Sequence, residues 1–131
     1  MLHIELCFEL SHFSFKLMCI VYSNCVVAMV TAMPEMILPL QDQHLDVGTR
    51  QLTWRCEARA VPFPQYAWYK NGVLLTNSSN SDVTLFRNTL ILRNLNKERD
   101  EGMYQCLANN THGEVVSTAQ LRILCKYCKN P

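Results

Sequence analysis

Trp68 follows Cys56 by twelve positions and Cys106 follows it by fifty, and the second cysteine is preceded by Asp100-Glu101-Gly102-Met103-Tyr104-Gln105. This spacing constrains the chain more than any other feature, because these residues fall in short runs with the two-residue period of a β-strand. In residues 51–59, Leu52, Trp54, Cys56 and Ala58 fall on one face, and in residues 65–70 Tyr66 and Trp68 do the same. Large apolar side chains far apart in sequence must therefore meet in one core. The two cysteines are either bridged across that core or buried in it as thiols.

The remainder of the chain after Pro34 has the same all-β texture. Residues 36–47 read as a first strand interrupted near Pro39, an edge position where a missing N–H is tolerated. Pro62-Phe63-Pro64 forces a bend, and Asn71-Gly72 is a tight-turn signal after Trp68-Tyr69-Lys70. Residues 77–81 are a polar loop, residues 89–92 a strand, residues 94–101 a polar connection and residues 102–109 another strand. Asn110-Thr111-His112-Gly113 reads as a second hairpin turn, before a last strand over residues 114–124 with Val115, Ser117, Ala119, Leu121 and Ile123 on one face. No segment carries helical periodicity over eleven or more residues, and there is no internal repeat.

The constellation resembles the signature of the immunoglobulin superfamily, which implies an all-β, two-sheet Greek-key sandwich of the intermediate-set (I-set or C2-type) kind. In that frame Cys56 and Cys106 would form a disulfide from the B to the F strand, and Trp68 on the C strand would lie against it. Tyr104 would form the tyrosine corner beside Asp100, and Gly102 would relieve crowding where the F strand begins. Closing a loop of this size removes denatured-state entropy worth roughly 4 kcal/mol. A finer resemblance, to the contactins, is carried by Leu45-Asp46-Val47-Gly48, Leu52-Thr53-Trp54-Arg55-Cys56, Trp68-Tyr69-Lys70-Asn71-Gly72, Gly102-Met103-Tyr104-Gln105-Cys106 and Ser117-Thr118-Ala119-Gln120-Leu121. It implies a neural cell-adhesion module at the cell surface, binding other cell-surface proteins in homophilic or heterophilic contact, immunoglobulin-superfamily members among them. A structural spacer module and a soluble receptor or ligand-trap fragment are the alternatives.

With 12 basic and 11 acidic residues the net charge is +1, and no block of like charge is present to attract nucleic acid. Residues 1–32 form a separate apolar segment, residues 33–124 the immunoglobulin-like domain, and residues 125–131 a tail or linker. Residues 17–33 hold no charge, follow Lys16 and end near Val30-Thr31-Ala32, a small-residue cleavage pattern, so a secretory signal is the favoured reading of the segment. An uncleaved anchor and a start foreign to the rest are the other two. Secretion agrees with a disulfide, which persists in oxidising compartments.

Two sequons, Asn77-Ser78-Ser79 and Asn109-Asn110-Thr111, mark Asn77 and Asn109 as glycosylation candidates. Period-two bookkeeping turns Tyr69, Met103, Gln105, Leu107, Val116 and Thr118 outward on the C–F–G sheet, a mixed apolar face suited to a protein partner or to a neighbouring domain. Phe63, between its two prolines, is a similar candidate. Cys125-Lys126-Tyr127-Cys128 is a lone pair of cysteines without the further ligands a metal requires. No nucleophile–base pair, paired carboxylates or phosphate-cradling glycine loop can be assembled, so no catalytic residue, metal, cofactor or small-molecule substrate is expected. Expressed in secretory cells, the chain is expected to begin near Met33. N-terminal sequencing of the product checks this, and a secreted product that keeps residues 17–33 contradicts it.

Overall fold

Between residues 51 and 61, Leu52, Trp54, Cys56, Ala58 and Ala60 are buried while the residues alternating with them are not. One face of this run therefore lies on the core, and the remaining strands are arranged around it. The computed structural model describes residues 3–9, 15–22 and 25–125. Its elements are, in order, β1 (His3–Glu9), β2 (Phe15–Tyr22), β3 (Cys25–Leu38), β4 (Gln43–Asp46), β5 (Gln51–Arg55) and β6 (Glu57–Val61). They continue with β7 (Gln65–Lys70), β8 (Val73–Leu74), β9 (Val83–Phe86), β10 (Thr89–Arg93), the single turn α1 (Lys97–Asp100), β11 (Gly102–Asn110) and β12 (Gly113–Leu124).

One layer consists of two hydrogen-bonded pieces, β1-β2-β3-β6 and β5-β10-β9; the other is the five-stranded sheet β4-β12-β11-β7-β8. The expected continuous strand over residues 51–59 divides at Cys56, because the chain changes neighbours there. Arg55 is the last residue paired with β10, and Glu57 pairs with Leu38 of β3. The first strand expected over residues 36–47 also divides, at the predicted proline. β3 ends just before Pro39 and belongs to the first layer, whereas β4 pairs in parallel with β12 in the second. The crossing segment is pinned from both sides: the Leu40 N–H donates to Ser117 Oγ at 2.8 Å, and Trp54 Nε1 donates to the Gln41 carbonyl at 3.0 Å.

Five elements escape the sequence reading: β1 and β2, which lie in the segment read as a secretory signal, and β8, β9 and α1. β8 has two exposed residues and β9 is a four-residue edge strand, so neither offers an alternating run. α1 is one turn inside the expected polar connection, started by Asn96, whose side chain accepts the Arg99 N–H at 3.1 Å. The domain boundary expected at residues 32/33 falls inside β3, where Ala32 is buried and opposite Val61. Residues 126–131, including Cys128 of the cysteine pair near the end, lie outside the described residues.

Cys56 and Cys106 are disulfide-bonded, with their Cα atoms 6.6 Å apart, and join the two layers through the core. Trp68 lies directly opposite Cys106 in the β7–β11 register and is 1% exposed. Its indole N–H has no hydrogen-bond partner among the described residues, so the ring is held there by packing. The Trp54 and Tyr104 rings add a tilted pair 5.0 Å apart. Tyr104 makes the expected corner, its hydroxyl donating to the Asp100 carbonyl at 2.7 Å. Burial, reinforced by the Asp100 charge, holds its phenol far above the usual tyrosine range, so it remains a donor.

The Asp100 carboxylate, itself buried, accepts the Asn96 N–H at 2.7 Å and two Arg99 nitrogens at 2.8 and 2.9 Å. Arg99 also reaches Asp82 at 3.1 Å, and its hydrogen bond to Asp100 raises its pKa further. Trp68→Ala is expected to cost about 3–5 kcal/mol, because it empties the space beside the bridge. Denaturant unfolding measures this; a midpoint close to the parent's would show that the ring does not support the core.

Candidate binding face

The strand registers place outward side chains of the five-stranded sheet in rows. Leu74, Tyr69, Gln105 and Thr118 form one row across β8, β7, β11 and β12, and Ala67, Leu107 and Val116 form the next. Neither row holds a carboxylate or a basic group. Charge enters on β12 beyond them, as Glu114 toward the β11–β12 hairpin and Arg122 toward the other end. The amide of Gln105 contacts Thr118 Oγ1 at 3.4 Å. Tyr69, Gly72, Gln105, Leu107, Glu114 and Val116 line an open depression of about 370 Å³.

Two hairpins set the ends of this surface. Asn71 and Gly72 both have positive φ, 48° and 80°, the requirement of the two-residue turn that brings Leu74 opposite Tyr69. The Asn71 side chain also accepts the Met103 N–H at 2.9 Å, while its own N–H donates to the Met103 carbonyl at 2.8 Å. This fixes β7 against the start of β11. Gly102 has φ 151°, and a Cβ there would stand 2.8 Å from Asn71 Oδ1. The expected crowding at Gly102 is therefore contact with the turn of the neighbouring hairpin. At the other end Asn110 and Gly113 close the β11–β12 hairpin, and the Asn110 side chain accepts the His112 N–H.

Of the candidate face residues, Tyr69, Gln105, Leu107, Val116 and Thr118 come together in the two central rows, whereas Met103 lies one row further, opposite Gln120. Phe63 is 93% exposed but sits apart, beside Asn109 and Thr111 at the hairpin end. Asn77 is exposed, and its Oδ1 accepts the Leu85 N–H of β9, in the opposite layer, at 2.6 Å. Asn109 is exposed and occupies the same strand face as Leu107. Leu74 and Glu114 were not singled out from sequence. Counting back from the Asn71-Gly72 turn pairs Leu74 with Tyr69, so that signal was available.

A family model described as an immunoglobulin domain matches residues 33–110. The chain belongs to the immunoglobulin-domain family. Among individual proteins the module is similar to contactin-5 of Gallus gallus, 42% identical over 91 residues that make up 70% of this chain and 8% of that protein. It is also similar to the contactin of Drosophila melanogaster, 38% identical over 70% of this chain and 7% of that protein. The chain thus spans less than a tenth of the length of either relative.

Among solved structures, a chimeric titin Z1Z2 carrying a decorin peptide superposes with a TM-score of 0.65 at 26% identity, covering 75% of this chain and all of that one. Extracellular domains 3–5 of Drosophila OTK superpose with a TM-score of 0.65 at 21% identity, covering 93% of this chain and 46% of that one, and show the fold alone. Gly102→Ala in this immunoglobulin module is expected to cost about 1–3 kcal/mol through its backbone conformation and the Asn71 contact. In an Asn71→Ala background the cost should shrink, because the contact is gone while the backbone strain remains. Thermal denaturation of the four variants in a double-mutant cycle measures the difference.

Proposed function

We propose that this immunoglobulin module acts at the cell surface in adhesion, binding another cell-surface protein through the outer face of its five-stranded sheet, without chemistry of its own. The observation that carries the reading is the charge-free pair of rows centred on Tyr69 and Leu107, whose aromatic, aliphatic and amide groups suit the core of a protein interface. The similarity to contactins supports adhesion as the role. The Cys56–Cys106 bridge supports an extracellular or cell-surface location, reached through the secretory pathway with the apolar front of the chain as the signal. Either a homophilic or a heterophilic partner would use this face.

A structural spacer is the second reading, favoured by the likeness to titin modules. It predicts that the face contributes nothing to binding. A standard interface takes about 800 Å² from each partner, so a single copy should bind weakly and gain strength when repeated. Beads or cells displaying the domain in tandem are expected to aggregate or to bind a cell surface, and Tyr69→Ala and Leu107→Ala should weaken this by about ten-fold or more while melting normally. Tandem domains that bind no cell surface would leave the spacer role.

A further inference from the structure

The sequon Asn109-Asn110-Thr111 and the candidate face are one surface. β11 alternates, so Asn109 projects on the same side as Leu107, about 7 Å along the strand, and it pairs laterally with Glu114. Glu114 is in turn part of the depression lined by Tyr69, Gln105, Leu107 and Val116. The neighbouring Asn110 amide is committed, donating to the Ala32 and Pro62 carbonyls at 2.8 and 3.1 Å. The Asn109 side chain is exposed and makes no hydrogen bond among the described residues, which leaves its amide nitrogen open to the solvent side of the sheet. Asn77, by contrast, is bound through its oxygen to the opposite layer.

Resting on the proposal that this face binds a partner, we infer that Asn109 carries an N-linked glycan that lies across the outer face of the five-stranded sheet and governs access to it. The occupant of the depression is the chain's own saccharide, and the face suits it. The Tyr69 ring and Leu107 offer apolar surface to the C–H side of a sugar ring, while Gln105, Glu114 and Thr118 offer donors and acceptors to its hydroxyls. The position of Asn109 within a paired strand is no obstacle if the glycan is added before the strand folds. A glycan is bulky and solubilising, and attached here it shields an apolar patch that would otherwise face water. Protein with and without this glycan would then present two different surfaces from one sequence.

The test uses the protein secreted by mammalian cells that express the full sequence, as parent, Asn109→Gln, Thr111→Ala (which removes the sequon without touching Asn109) and Asn77→Gln. Peptide mass spectrometry is expected to find a glycan on Asn109, and its absence overturns the inference. Hydroxyl-radical labelling of Tyr69 and Leu107 is expected to rise roughly two-fold or more when the Asn109 glycan is missing, because a bulky saccharide no longer excludes solvent there. Labelling of Phe86, on the opposite layer, and the Asn77→Gln protein should match the parent. Unchanged labelling at Tyr69 and Leu107 in both Asn109→Gln and Thr111→Ala overturns the covering role, whatever the adhesion assays show. If labelling rises but neither Tyr69→Ala nor loss of the glycan alters tandem-domain aggregation, the covering stands and the adhesive use of the face is what fails. Stronger aggregation of the Asn109→Gln tandem, reversed by adding Tyr69→Ala, supports both.

Discussion

The bond between Cys56 and Cys106 is a covalent tie between the two layers and fixes their spacing at the centre of the core. Cys56 lies at the point where one strand run passes from β10 to β3, and Cys106 lies at the centre of β11, flanked by β7 and β12. The bridge therefore connects the two places where the most strands converge. Trp68 fills the space next to it, and Trp54 with Tyr104 fills the next level. Because interiors are close-packed, each of these rings has its position set by the others once the bridge sets the layer spacing.

The polar contacts follow from the same arrangement. With β11 held at its centre, Tyr104 must bury its phenol near the turn that precedes the strand, and the only economical partner is backbone: the Asp100 carbonyl. That requires α1 to sit in one place, and the Asp100 carboxylate holds it there by capping Asn96 and gripping Arg99, which reaches on to Asp82 beside β9. A buried charge is tolerable here because the Asn96 N–H and two nitrogens of the Arg99 cation donate to it. The outer face of the same sheet is thus presented on a rigid support, with none of its rows needed to satisfy the interior.

Much of this was legible in the residues. The alternation around Cys56, the turn at Asn71-Gly72 and the spacing from Tyr104 to Cys106 each depend on local periodicity or on turn chemistry, which a sequence displays directly. Pro39 was readable as an interruption, but its consequence was not. That β3 and β4 belong to different layers depends on Ser117 and Trp54 receiving the crossing segment from far along the chain. Asp100 was marked as part of the signature before Cys106, but its contacts with Arg99, and through Arg99 with Asp82, were hidden for the same reason, since only the fold selects which charged residues meet it. β9 was missed because four residues at an edge give too short a pattern. On the face, Tyr69, Gln105 and Leu107 were found by counting in twos, but the lateral rows need the register between strands.

The parallel pairing of β4 with β12 also has a mechanical meaning. β4 follows β3 near the start of the sandwich and β12 is its last described strand, and their ladder runs from Gln43 opposite Leu121 to Asp46 opposite Leu124, continued by the Val47 N–H on the Leu124 carbonyl. Two strands aligned the same way and pulled from opposite ends slide past each other. Tension applied between the two strands' outer ends would load these hydrogen bonds together in shear, where an antiparallel pair at the same place would open one bond at a time. Should the ladder yield, the bridge at Cys56 and Cys106 would still keep the fifty-residue span between them from extending.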